Sequence, residues 1–259
     1  MTVAGSWREL FGREYGRVST VLAGGVAIYA TNEFITMSLL PSAVEDIGGT
    51  RWYAWVTTVY LVASVIGATT VGPVLARFGS RRSYLGALIS FGSGCGLCAL
   101  APTMSILLAG RTIQGLAGGV LAGLGYSVIS AALPERLWTR AAAAVSAMWG
   151  VGTLVGPVSG GLFAQFGYWR GGFAVLLVLA LMMAALVPVA LPAAASRRTA
   201  ALRIPVPSLV LLGLAALAIS VASVPHDPVL VGAMLALAGV LVAVFVVVDR
   251  RVRVAVLPR

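Results

Sequence analysis

Two ionisable side chains lie where hydrocarbon is expected. Glu33 sits in "IYATNEFITMSLL" (28–40), inside an apolar run from about Val18 to Pro41, and Arg111 sits in "LAGRTIQGLAGG" (108–119), inside another. A carboxylate or guanidinium at mid-helix in a bilayer costs about 2.5–3.5 kcal/mol, so each must face a protein interior or water. At a rise of about 1.5 Å per residue, Glu33 lies roughly 12 Å below the outer end of its run and Arg111 roughly 10 Å below the outer face of its own. At matched depth they read as an acid and a base lining an aqueous cavity, with Glu33 carrying a proton. The other reading is a buried salt bridge that only fixes helix packing. Tyr29, Asn32, Thr36 and Met37 share a helical stripe with Glu33 and suit a mixed polar and apolar ligand. Gln114 lies one turn from Arg111; it extends this site or it packs, and both readings stand.

Other reactive residues offer less. Cys95 and Cys98 form "CGLC" within an apolar run and have no histidine nearby, so they read as helix packing rather than redox or zinc chemistry. His226, the sole histidine, lies between prolines in "PHDP" and reads as a turn. Glu45, Asp46 and Asp227 read as loop charges with ordinary solvation. No metal cluster, nucleophile–histidine pair or phosphate loop is visible. No metal, no cofactor and no enzymatic activity are expected.

The elements that must hold these residues are membrane helices. Hydrophobic residues make up 59 % of the 259 and charged residues 10 %, whereas soluble domains carry about 25 % charge. The net charge of +10 comes from arginine without lysine, in short clusters between apolar runs, which is a membrane-loop layout rather than a nucleic-acid-binding face. A bilayer takes roughly 20 helical residues per crossing. Runs near 18–41, 52–75, 83–101, 104–132, 141–165, 171–191, 207–224 and 229–248 qualify, and they lack the alternation of barrel strands. With both termini inside, fifteen arginines fall on inner segments against Arg51 and Arg170 outside. This predicts a multi-pass protein of the cell (cytoplasmic) membrane with both termini cytoplasmic. Trp52, Tyr53, Trp55, Tyr168 and Trp169 are expected at the outer interface.

The predicted fold class is an all-α multi-pass membrane protein: a six-helix bundle at 18–192 plus two additional transmembrane helices at 207–248. A cytoplasmic linker at 193–206 and a basic cytoplasmic tail at 249–259 complete it. Residues 1–17 read either as a short amphipathic helix on the inner surface, because Trp7, Leu10, Phe11 and Tyr15 recur at helical spacing, or as a disordered start.

Glycines recur every four residues at Gly115, Gly119 and Gly123, and again at Gly152, Gly156 and Gly160. Such rows let membrane helices approach closely. Pro157 beside Gly156 removes a backbone donor, so the second row suits helices that rock.

These residues resemble the major facilitator superfamily, most closely its 14-span drug:proton antiporter branch. "LAGRTIQGLAGG" is similar to the family's span-four motif, carrying Arg111, Gln114 and Gly115. "GTLVGPVSGG" is similar to its span-five antiporter motif, carrying Gly152, Gly156, Pro157, Gly160 and Gly161, with Ala143 at an earlier glycine. "GPVLARFGSRR" resembles the loop between spans two and three, carrying Gly72, Arg77, Gly79, Arg81 and Arg82. The first hairpin also resembles that branch. Ala76 stands where the loop motif usually has an aspartate that helps to close the cytoplasmic gate. Asn32 stands where the branch usually has an aspartate, and Glu33 is the neighbouring acid. The resemblance implies two six-helix bundles around a central cavity with alternating access, exporting amphipathic or lipophilic compounds in exchange for protons, with 207–248 as linking helices. The expected partners are the lipid bilayer, protons, a small amphipathic substrate and the missing C-terminal six-helix bundle. The chain then reads as the N-terminal part of such a transporter, or as a truncated module that needs a second bundle.

Overall fold

The computed structural model describes residues 5–191, 211, 213–215, 217, 218 and 228–251, and among these every regular element is helical. The elements are α1 (Trp7–Leu10), α2 (Gly16–Ile47), α3 (Tyr53–Thr69, after a 3-10 turn at Thr50–Trp52), α4 (Val71–Ala99), α5 (Met104–Ser127), α6 (Ile129–Ala132), α7 (Glu135–Gln165), α8 (Trp169–Ala190) and α9 (Pro228–Arg251). The linker 193–206, His226 with Asp227, and the tail past Arg251 lie outside the described residues.

The chain is an all-α multi-pass membrane protein. α2, the stretch Thr50–Thr69, α5, α7, α8 and Val229–Val247 of α9 are each long and apolar enough to cross a bilayer. α4 falls short by composition: Arg77, Arg81 and Arg82 occupy its first part, and "SFGSGCG" dilutes its second. Packing compensates, because α4 lies against both α5 and α8.

Six helices form one bundle in two layers. α3 packs on α5, α5 on α2 and α2 on α7, giving the first layer; α4 and α8 pack on one another behind α5 and α2. The two outermost helices of the first layer, α3 and α7, therefore flank the pair α2–α5 that carries Glu33 and Arg111.

The segment "RFGSRR" departs from its expected form. It is helical on both sides of a break at Gly79 (φ 74°, ψ 169°) rather than a loop. Only glycine adopts this backbone without strain. Ser83 donates its hydroxyl to the carbonyls of Gly79 (2.7 Å) and Val74 (3.3 Å), which bridges the break. The fourth span also ends early, since α5 stops at Ser127 and the separate turn α6 follows.

The start of the chain is ordered by the protein itself. Ser6 caps α1 by accepting from the Glu9 amide (3.1 Å). Glu9 pairs with Arg136 (2.7 Å), the Gly5 amide donates to the Arg136 carbonyl (3.2 Å), and Ser19 donates to the Leu10 carbonyl (3.0 Å). Leu10 is fully buried, while Trp7 and Phe11 stack together on the surface. The segment is a clasp on the start of α7, with its aromatic pair left outward.

At the other end of the bundle Asp46 is exposed, as expected, and it also binds two donors. Its carboxylate accepts from the Trp169 indole (3.1 Å) and from Arg170, and Arg170 also donates to the Ala101 carbonyl (3.0 Å). Trp169 is thereby buried against Phe173 rather than exposed. The cause is tertiary: the end of α2 meets the start of α8, and one carboxylate serves both donors. Arg170 first, then Trp169, holds the Asp46 carboxyl below its usual value. A lowered folded-state value means that this contact stabilises fully above the unfolded value of about 3.9 and is lost as pH falls through the lowered one. Thermal unfolding is therefore expected to shift downward as pH drops below about 4. Asp46→Asn is expected to flatten that part of the profile; an identical profile in the variant would remove Asp46 from it.

Candidate functional site

The site is built where α3, α5 and α2 cross. Small residues set the approach. A Cβ at Gly115 would press on Ala63 and the Tyr60 backbone, and one at Gly118 on the Tyr29 ring. With no side chains in the way, both tyrosines lie against α5.

Tyr29 and Ser64 share a hydrogen bond of 2.8 Å between their hydroxyls. The Tyr29 ring stacks on Tyr60 (centroids 5.9 Å apart) and meets Trp149 of α7 edge-on at 5.3 Å. The Tyr60 hydroxyl donates to the Tyr29 carbonyl at 3.3 Å. Arg111 lies over the Tyr60 ring, its guanidinium carbon 3.9 Å from the centroid. Its Nε donates to the Val56 carbonyl (3.4 Å) and its Nη1 to Gln114 Oε1 (3.0 Å). Gln114 in turn donates to Cys95 Sγ (3.1 Å), and Cys98 donates weakly to Gln114 Oε1 and the Leu107 carbonyl, each at 3.7 Å. Both cysteines are buried free thiols. Gln114 thus links the guanidinium to the thiol of Cys95.

Arg111 is 1 % exposed. A buried charge this dry needs polar partners; here a carbonyl and an amide oxygen accept from it and an aromatic face lies against it. Among the described residues the ion pairs are Arg136–Glu9 and Arg170–Asp46, and neither includes Glu33 or Arg111. Glu33 is half-buried on α2.

The predicted stripe on α2 divides. Tyr29 and Asn32 turn into the bundle, and Asn32 is wholly buried with neither amide atom hydrogen-bonded. An orphaned buried amide is uncommon in folded proteins. Thr36 is buried too, but it donates to the Asn32 carbonyl (2.7 Å) and lines a crevice with Leu107 and Phe173. Met37 points outward, 48 % exposed. The sequence reading did not single out Tyr60, Ser64 or Trp149. Tyr60 and Ser64 stand four apart on α3, and that polar pair in "YLVAS" was the available signal.

The glycine row of α7 faces α2. A Cβ at Gly152 would meet Ala30, one at Gly156 would meet Phe34 and Ile35, and one at Gly160 would meet Ile35 and Ser38. Pro157 and Gly161 lie on the exposed side of α7, beside Leu154, Val158, Leu162 and Phe166. Gly72 is exposed ahead of the Gly79 break, and Arg77 lies over the Phe78 ring at 5.5 Å. Arg81 and Arg82 open the second limb of α4.

Comparison with known proteins is consistent with this arrangement. Residues 22–203 match the family described as Major Facilitator Superfamily. A protein of Mycobacterium tuberculosis described as a probable multidrug-efflux transporter is 59 % identical over 98 % of this chain and 55 % of its own length. The chain thus spans about half the length of that curated relative. Multidrug resistance protein 3 of Bacillus subtilis is 30 % identical over 58 % of this chain and 29 % of its own. The crystal structure of a D-xylose–proton symporter superposes with a TM-score of 0.62 at 16 % identity, covering 90 % of this chain and 67 % of that one.

Proposed function

The chain belongs to the major facilitator superfamily, and from that premise we propose that it forms the proton-handling part of an exporter for amphipathic or lipophilic drug-like compounds. Glu33 takes and releases the proton. Arg111, fixed by Gln114 and Tyr60, sets the field in which it does so. Tyr29, Asn32 and Trp149 offer the ligand aromatic faces and an unpaired amide. The observation that carries this reading is the contrast between the two charges: Arg111 is buried and hydrogen-bonded to Val56 and Gln114, while Glu33 is half-buried and has no hydrogen-bonded or ionic partner among the described residues. Partial water access is what a residue that exchanges protons needs, and membrane carboxylates are sites of this kind by default.

The glycine row of α7 against α2 supplies a smooth surface for rocking, and the exposed apolar face of α7 offers a second six-helix bundle its contact. In this reading both termini lie in the cytoplasm of a cell whose membrane the protein spans. The names of the relatives support efflux, and the half-length match favours a second reading: a module that does not transport until another bundle completes the cavity.

Proteoliposomes test both. With a proton gradient imposed, the chain is expected to drive a fluorescent lipophilic cation against its own gradient, and Glu33→Gln is expected to reduce this to passive leak. Movement seen only when a second six-helix bundle is supplied favours the module reading. Driven movement that survives Glu33→Gln would remove Glu33 from coupling, and none even with the second bundle would sink transport.

A further inference from the structure

α3 and α4 follow one another across Thr70, yet they hardly pack together, because each lies instead on α5. Between them a groove of about 490 Å³ opens on the flank of the bundle, floored by Leu116 and Val120 of α5. Gly86 of α4 keeps one wall low, since a Cβ there would meet nothing within 4 Å. Phe78 and Arg82 close one end. From Arg82 to Ser90 the groove follows α4 for about 12 Å along the bilayer normal.

The closed end is basic. Arg77, Arg81 and Arg82 cluster around the Gly79 break, and among the described residues no carboxylate pairs with any of them. A new helical limb starts after Gly79, and the positive end of its dipole adds to the guanidiniums rather than offsetting them. A cationic end with no carboxylate partner on an apolar trough has a complement native to a membrane: a molecule with an anionic head and a hydrocarbon chain. Basic pockets between transmembrane helices take anionic headgroups on these grounds.

We propose that this groove is a binding site for an anionic phospholipid, one acyl chain lying over Leu116 and Val120 and the phosphate on Arg82. It is separate from the Glu33–Arg111 site and does not depend on the transport reading. Gly86 is there to leave room for the chain, and Arg82 selects the head.

Native mass spectrometry of the full chain in mild detergent tests it, with phosphatidylglycerol and phosphatidylcholine of identical chains as probes. Phosphatidylglycerol is expected to be retained preferentially. Arg82→Gln is expected to weaken it about fivefold, the worth of one arginine at a membrane surface, without changing phosphatidylcholine. Gly86→Leu is expected to reduce both lipids by filling the trough. Helical content and thermal unfolding serve as the folding check; Arg82 is exposed, so Arg82→Gln decides alone should Gly86→Leu misfold. Equal retention of the two lipids by the unaltered chain, or phosphatidylglycerol retention indifferent to Arg82→Gln, would overturn the proposal. Displacement of the lipid by inorganic phosphate would also overturn it, because the site would then be a free-anion site. So would dimers that form without lipid and vanish in Gly86→Leu.

Discussion

Arg111→Gln is expected to lower the stability of the folded chain by about 2–3 kcal/mol, while Glu33→Gln leaves it unchanged or slightly raised. Both positions carry a charge inside the bundle, so the prediction separates them by their partners. Arg111 donates a 3.0 Å bond to Gln114 and lies 3.9 Å over Tyr60. A hydrogen bond involving a charged group contributes about 1.5–3 kcal/mol, and a desolvated cation–ring contact about 2. Relief from burying the charge offsets part of that sum. Gln114 then loses its donor while still bonded to Cys95. Arg111→Lys is expected to be worse than Arg111→Gln, by about 1 kcal/mol or more. An ammonium keeps the burial cost but has neither the planar fork nor the flat face that lies on Tyr60. Glu33 has no such contacts to lose, and its amide form carries a smaller desolvation cost than a carboxylate. Unfolding in graded denaturant gives the order directly. A Glu33→Gln loss as large as that of Arg111→Gln would mean that the carboxylate is a structural group, and the proton assignment would fall with it.

The helices were legible because their signal is additive: twenty apolar residues announce a crossing whatever they touch. The two buried charges were legible for the same reason, since each interrupts such a run. Their partners were not. Nothing in "WVTTVYLVAS" says that Tyr60 turns its face to α5, because that depends on the rotation of α3, which Gly115 and Gly118 permit from another helix. Asp46 was visible as a charge but not as a ligand of Trp169 and Arg170, which lie more than a hundred residues away in sequence. Gly79 was visible as a motif residue, yet its conformation, which turns a presumed loop into two helical limbs, is a backbone property that composition only permits. The N-terminal segment showed its amphipathic spacing in sequence, whereas its tie to α7 through the Glu9–Arg136 pair did not show there.

Gly119→Ala is expected to be the most damaging single-methyl change in the first layer of the bundle, costing about 3 kcal/mol, the upper part of the usual range for overpacking. The reason is what the new carbon would strike. At Gly118, Gly123 and Gly125 an added Cβ first meets a side chain that can give way; at Gly119 it meets the Ser64 carbonyl group, with the Ala68 amide nitrogen at 2.9 Å. These are backbone atoms of a helix, and they yield only if all of α3 moves. Gly67 on α3 faces the Leu116 carbonyl in the same way, so the two helices touch backbone to backbone at this level. Separating them would also pull Ser64 from Tyr29 and Tyr60 from Arg111, because those contacts span the same crossing. Ligand binding should therefore fall together with stability, although Gly119 touches neither charge. Gly161→Ala is the control. Its Cβ would stand in open space on α7, where alanine is the better helix former by about 0.8–1.0 kcal/mol. Opposite signs for the two substitutions, measured by unfolding of the purified variants, are the expected result. A Gly119→Ala chain as stable as the original would mean that α3 and α5 do not hold this close approach.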